Sequence, residues 1–155
     1  MRILGVDPGT GIMGFGVVEG KLKHKMIDAG VIRTAVHQPE PERLEIIFDS
    51  LNEIVELTKP DVVSVEKLFF ARNVTTAMTV AQARGVVLLV AQKQKLPVFE
   101  YTPMQIKLSL TGYGKADKKQ VQEMVRLLLN LKVVPKPDDA ADALAAALTH
   151  MSASR

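Results

Sequence analysis

The chain opens on a short apolar run, Ile3–Asp7, that reads as a buried strand entering a turn at Pro8-Gly9. Met13–Val18 and Leu22–Thr34 read as two further strands, with Gly20 in the hairpin turn between them. After a loop over 35–41 the apolar period changes. Leu44, Ile47, Phe48, Leu51, Ile54 and Val55 follow the i, i+3, i+4, i+7 rule and predict a helix over Glu42–Thr58, ended by Pro60. Asp61–Glu66 is a strand, its β-branched side chains supplied by Val62, Val63 and Val65. Lys67–Asn73 is a loop, and Thr75–Lys95 a second helix. Gly85 interrupts that helix at a cost of up to ~1 kcal/mol against Ala, unless close packing needs it. Pro97–Tyr101 reads as a strand, Pro103–Leu110 as a short helix, Thr111–Lys115 as a Gly-rich loop and Lys118–Leu131 as a helix. Pro135 and Pro137 mark a loop before the Ala- and Leu-rich closing helix, Asp139–Met151.

Three hairpin strands followed by strand–helix units predict an α/β fold, a mixed five-stranded sheet flanked by helices. That order matches the RNase H-like fold. With no repeat or long linker, residues 1–155 are expected to form one domain.

Composition narrows the chemistry. The chain has 155 residues, 47% hydrophobic and 24% charged, enough to bury a core. It has no Cys, which excludes disulfides and thiolate-held zinc and suits a reducing cytoplasm. No signal peptide is expected, and the longest apolar run, Gly85–Ala91, is far short of the ~20 residues of a membrane span. The formal net charge of +3 does not announce nucleic-acid binding. If several acids gather round a metal, however, the remaining surface is distinctly basic.

Four acids carry the candidate chemistry. Asp7 and Glu66 close the first and fourth strands, so parallel neighbours would bring both to the sheet edge where α/β folds bind ligands. Asp139 and Asp142 are spaced i, i+3 at the start of the last helix and share a face. Asp138 is an extra acid, but only Asp139 keeps the i, i+3 phase with Asp142. Converging carboxylates repel unless cations neutralise them. Mg²⁺ and Mn²⁺ prefer oxygen ligands, and two ions ~3.5–4 Å apart can activate water and stabilise a leaving oxygen in phosphodiester cleavage. Taken singly, Asp7-Pro8-Gly9 is an ordinary turn and Asp138-Asp139 an ordinary acidic helix start.

The segment Gly5-Val6-Asp7-Pro8-Gly9-Thr10-Gly11 resembles the start of the RuvC family. So do Glu66 followed by Phe69 and Asn73, the stretch Gln82-Ala83-Arg84-Gly85, Pro97–Tyr101, Lys115–Met124 and Asp139–Ala145. The motifs are separated, in order, and span nearly the whole chain. The resemblance implies a homodimeric crossover (Holliday) junction endonuclease that nicks two strands of like polarity symmetrically. Asp7, Glu66, Asp139 and Asp142 would be its catalytic, metal-holding acids, with Mg²⁺ (or Mn²⁺), two ions per site. It further implies a cytoplasmic enzyme of recombination and repair and, as a partner, the branch-migration helicase complex of the same pathway.

Lys107, Lys115, Lys118 and Lys119 cluster around Gly112–Gly114 and are candidates to hold phosphates, as are Arg72 and Arg84. Phe69 is a candidate to stack on an unpaired base at the crossover. The apolar residues Val80, Val86, Val87, Leu88, Leu89 and Val90 occupy more than one face of the second helix, and a twofold partner would cover the spare face. His150 is expected to face the dipole at a helix end, and Met78, Met104 and Met124 to fill the core. The rivals are an RNA-processing RNase H-like nuclease, a non-catalytic DNA-binding module, and an actin-like ATPase. The last needs two such domains, and a mere binder gains nothing from acids facing phosphate.

Overall fold

The structure, a computed structural model, describes residues 1–67 and 74–154. Strands β1 (Arg2–Asp7), β2 (Ile12–Gly20) and β3 (His24–Arg33) lead into α1 (Glu40–Thr58), β4 (Val62–Glu66), α2 (Val74–Lys93) and β5 (Val98–Tyr101). Three helices follow: α3 (Pro103–Thr111), α4 (Lys118–Leu128) and α5 (Asp138–Ala153). The sheet order is β3-β2-β1-β4-β5. The first three strands pair antiparallel, while β4 runs parallel to β1 and to β5. The expected mixed five-stranded sheet is therefore present, with its parallel half at β1-β4-β5.

The period of two distributes the strands between two cores. Leu4, Val6, Val63 and Val65 face α1 and α2, where Ile47, Leu51, Val87 and Val90 meet them. Ile3 and Val62 point the other way, into a core shared with Val121, Val125, Leu144 and Leu148 of α4 and α5. Gly5 and Ser64 fall on this second face, and Ser64 Oγ donates a 2.7 Å hydrogen bond to the Ala146 carbonyl of α5. Asp7 and Glu66 continue the same alternation, so both acids end their strands on the α5 side of the sheet.

Several boundaries differ from the sequence reading for identifiable reasons. α1 begins at Glu40, because Pro41 is tolerated in the first turn of a helix, where its missing N–H has no partner to lose. α4 stops at Leu128, three residues early, and Asn130 just beyond it takes a left-handed conformation (φ 52°). An added Cβ at Gly85 would meet nothing within 4 Å, so close packing inside the chain does not account for that glycine. By length and composition α2 could cross a membrane, but it packs on α1 and buries Ala77, Ala83, Val87, Val90 and Ala91. It is a core helix with one uncovered face, formed by Val74, Met78, Ala81, Gly85 and Leu89.

Met124 packs against the second core as expected. Met78 and Met104 do not fill a core: they are 62% and 65% exposed. His150 is also corrected. It is buried, stacks on Phe99 with ring centroids 4.2 Å apart, and shares a 2.8 Å hydrogen bond with the Tyr101 hydroxyl. Burial holds its pKa below the ordinary histidine value, so the neutral ring packs rather than answering the helix dipole as a cation.

Candidate active site

Parallel pairing sets Val6 opposite Val65, which leaves Asp7 and Glu66 side by side at the next step along β1 and β4. Across the antiparallel pair Asp7 faces Gly14. A Cβ on Gly14 would lie 1.9 Å from the Asp139 carbonyl oxygen, so the bare glycine lets the first turn of α5 settle directly beside Asp7. Strand ends and helix start thus bring Asp7, Glu66, Asp139 and Asp142 to one sheet edge.

Their electrostatics follow from that convergence. The Asp7 carboxyl is pushed up to about 8 by burial first, then by the charges of Glu66, Asp142 and Asp139, with Lys118 opposing. Burial and Asp142 also raise Glu66, against Lys118 and Lys107. Asp142 stays above its ordinary range because burial outweighs the 3.1 Å hydrogen bond it accepts from Lys118 Nζ. Burial works against the Lys118 charge too, but Asp142 and Asp138 prevail and hold its pKa up. Asp138 sits at the rim, 3.6 Å from Lys118 Nζ. Its carboxyl accepts a hydrogen bond from Lys136 at 3.1 Å, which keeps it below the usual range. Asp139, not Asp138, bears on Asp7.

Two capping boxes place the flanking lysines. Thr102 and Gln105 fix the start of α3, and Asp117 and Gln120 the start of α4. Each pair satisfies two of the N–H groups left open at a helix start. Both patterns are legible in the sequence and define those helix starts to the residue. Lys107 on α3 and Lys118 on α4 line one recess with Glu66 and Asp142. A second recess, sharing Glu66 and Pro103, is lined by Asp7, Lys67 and Arg84. Their volumes, ≈ 260 and ≈ 190 Å³, fall below the ~300–1,000 Å³ of enclosed small-molecule sites.

Lys119 is not part of either recess: it lies in another depression with Thr111, Asp117 and Glu123. Lys115 is exposed on the connecting loop. Phe69 and Arg72 lie outside the described residues. Glu100, which holds Arg84 in an ion pair across α2 and β5, was not singled out from the sequence.

The donor set is all carboxylate oxygen, which suits a hard divalent cation. Among the described residues no three acids close tightly enough round one point to grip an ion as they stand, and Lys118 is inserted at Asp142. Asp7, Glu66, Asp139 and Asp142 are the residues that would hold a cation, beside the Lys118–Asp142 ion pair.

The model of the family described as crossover junction endodeoxyribonuclease RuvC matches residues 3–150. The chain belongs to the RuvC family. A RuvC endodeoxyribonuclease from Thermomicrobium roseum is 54% identical over 155 residues, all of this chain and 95% of that protein. One from Brevibacillus brevis is 56% identical over 97% of this chain and 91% of its own length. RuvC of T. thermophilus in complex with a Holliday junction substrate superimposes with a TM-score of 0.95 at 41% identity, covering 100% of this chain and 95% of that one. The yeast mitochondrial Holliday junction resolvase Ydc2, at 16% identity and a TM-score of 0.68 over 97% of this chain and 77% of its own, shares the fold. As a RuvC-family member the chain is a nuclease, which removes the ATPase and pure-binder readings.

Proposed function

We propose that this RuvC-family chain resolves four-way DNA junctions by paired symmetric nicks, with Asp7, Glu66, Asp139 and Asp142 as its catalytic acids. The supporting observation is their convergence at one sheet edge, deep enough to push Asp7 up to about 8. They would hold Mg²⁺, with Mn²⁺ able to substitute, as two ions per site. The bound metal supplies Lewis acidity, which activates water and stabilises the leaving oxygen. The chain supplies the rest. The strand ends and α5 fix the acids, and Lys107 and Lys118 offset the charge of an entering phosphate. Incubation with labelled junction, linear duplex and RNA–DNA hybrid, in Mg²⁺ and in EDTA, tests this. Paired nicks confined to the junction and abolished by EDTA are expected; cleavage of the hybrid alone would overturn the reading.

Lys107 and Lys118 should each make one phosphate contact. Lys107→Ala and Lys118→Ala should then each make log K against log[salt] shallower by ~0.9. Unchanged slopes would return both to the ordinary surface.

Two symmetric nicks need two sites. The uncovered apolar face of α2, with Gly85 at its middle, supports a homodimer built there. Sedimentation at micromolar concentration should give the mass of two chains, and a monomer with and without junction would rule the dimer out. Phe69 we assign to stacking on a base at the crossover, worth ~1–3 kcal/mol. Phe69→Ala should slow junction cleavage with little change in Tm, whereas a large loss of Tm would make it a core residue. The proposal extends to a cytoplasmic enzyme of recombination and repair that works beside a branch-migration helicase.

A further inference from the structure

We propose that Arg84, aimed by Glu100 and joined by Lys67, binds the DNA phosphate on the side of the acids opposite Lys107 and Lys118. This rests on the nuclease reading of the carboxylate cluster. Glu66 and Pro103 form the divide between the two recesses, with Lys107 and Lys118 on one side and Lys67 and Arg84 on the other. The acids therefore lie between two cationic flanks. One strand of duplex DNA carries a phosphate every ~3.4 Å of helix axis, so a strand whose scissile phosphate reaches the acids lays a neighbouring phosphate on each flank. Those neighbours carry the same sign of charge as the ionised acids of the cluster, and a cation on each side offsets the repulsion.

Arg84 is built for that task in a way a free surface arginine is not. It arises from α2, between buried Ala83 and Val87, and its Nη2 pairs with Glu100 Oε1 on β5. The two side chains are 27% and 28% exposed, and ion pairs with this much solvent contact contribute only ~0–1 kcal/mol to stability. Orientation is the larger consequence. Guanidinium presents five donors in a rigid fork, so a carboxylate on one edge fixes where the plane points while the fork can still address a phosphate. Lysine, a point charge on a flexible stem, has no such plane to aim. Glu100 is thus a positioning residue, acting through Arg84.

The test measures junction binding in EDTA and nicking in Mg²⁺ on the full chain. Arg84→Ala should make the salt slope shallower by ~0.9 and raise KM roughly tenfold, the cost of one charged hydrogen-bonded contact. Arg84→Lys should restore the slope but not KM. Glu100→Gln should keep the parent slope, because the cation remains, and raise KM, because its aim is lost. A mere tie between α2 and β5 would lower Tm and move neither slope nor KM. Parent slope and parent KM in Arg84→Ala would overturn the inference. Should that variant fail to fold, Arg84→Lys against Arg84→Gln decides, and equal slopes in those two overturn it. If the parent does not nick the junction, the nuclease reading falls, whereas the slopes in EDTA still report on Arg84 as a phosphate contact.

Discussion

Asp7→Asn should reduce junction nicking by roughly a thousandfold or more while junction binding in EDTA stays at the parent level or tightens. Asn keeps the shape of Asp but lacks the charge that holds a cation. Below pH 8 the parent carboxyl in EDTA is itself largely protonated, so the substitution costs no binding, and above pH 8 it removes one like charge from the path of a phosphate. The same variant carries a second signature, in stability. The folded carboxyl is pushed up to about 8, against an ordinary value of 3.8. Below pH 3.8 the group is protonated in both folded and unfolded chains and contributes nothing. Between about 4 and 8 the unfolded chain releases the proton while the folded one retains it, so stability falls as pH rises; above 8 the loss is constant. Asn has no proton to release. In EDTA the variant should therefore melt with the parent near pH 4 and progressively above it toward pH 8. Parallel melting curves over that range would contradict the burial and crowding of Asp7. Nicking at the parental rate would remove it from the catalytic set.

The acids were legible because chemistry and topology coincide on them. A strand that ends in Asp, another that ends in Glu and a helix that starts with two acids at i, i+3 make one site as soon as β1 and β4 are parallel neighbours. The same logic fails for the lysines. Lys118 and Lys119 are adjacent in sequence, but the helix turns one toward Asp142 and the other into a different depression, a phase that depends on how α4 is seated. Glu100 escaped notice because its partner lies sixteen residues away on another element. His150 was misread for a related reason. Its place near a helix end is local information, whereas the Phe99 and Tyr101 rings that cover it come from β5. The approach of α5 to the sheet was also written in the sequence, as Gly5, Gly14 and Gly16 on the strands and an alanine run in the helix. Only the register of β1 with β2 puts those glycines under one helix.

Gly5→Ala should lower stability by ~3 kcal/mol or more, at the upper end of what overpacking by one methyl costs, and Tm by roughly 6–12 °C for a domain of this size. The added Cβ would stand 1.9 Å from the Ala143 carbonyl oxygen and 2.9 Å from the Ala147 nitrogen. Both are backbone atoms of α5, so no side chain can rotate away, and the helix must lift as a body. Lifting it opens the seat of Ala143, Ala146 and Ala147, all buried, and stretches the Ser64–Ala146 hydrogen bond. Gly5 lies on β1, the middle strand of the sheet, where a backbone shift would disturb β2 and β4 alike. Gly14→Ala makes an instructive pair. Its Cβ would also stand 1.9 Å from a helix carbonyl, but that of Asp139, in the first turn of α5, where the helix end can tilt without unseating the rest. The smaller loss of Tm should come with a large loss of nicking, because the tilt carries Asp139 away from Asp7. Denaturant titration of both variants, with nicking assayed on the folded fraction, separates the two effects. A Gly5→Ala protein that melts within a degree or two of the parent would mean that α5 does not rest on the sheet at the distance described.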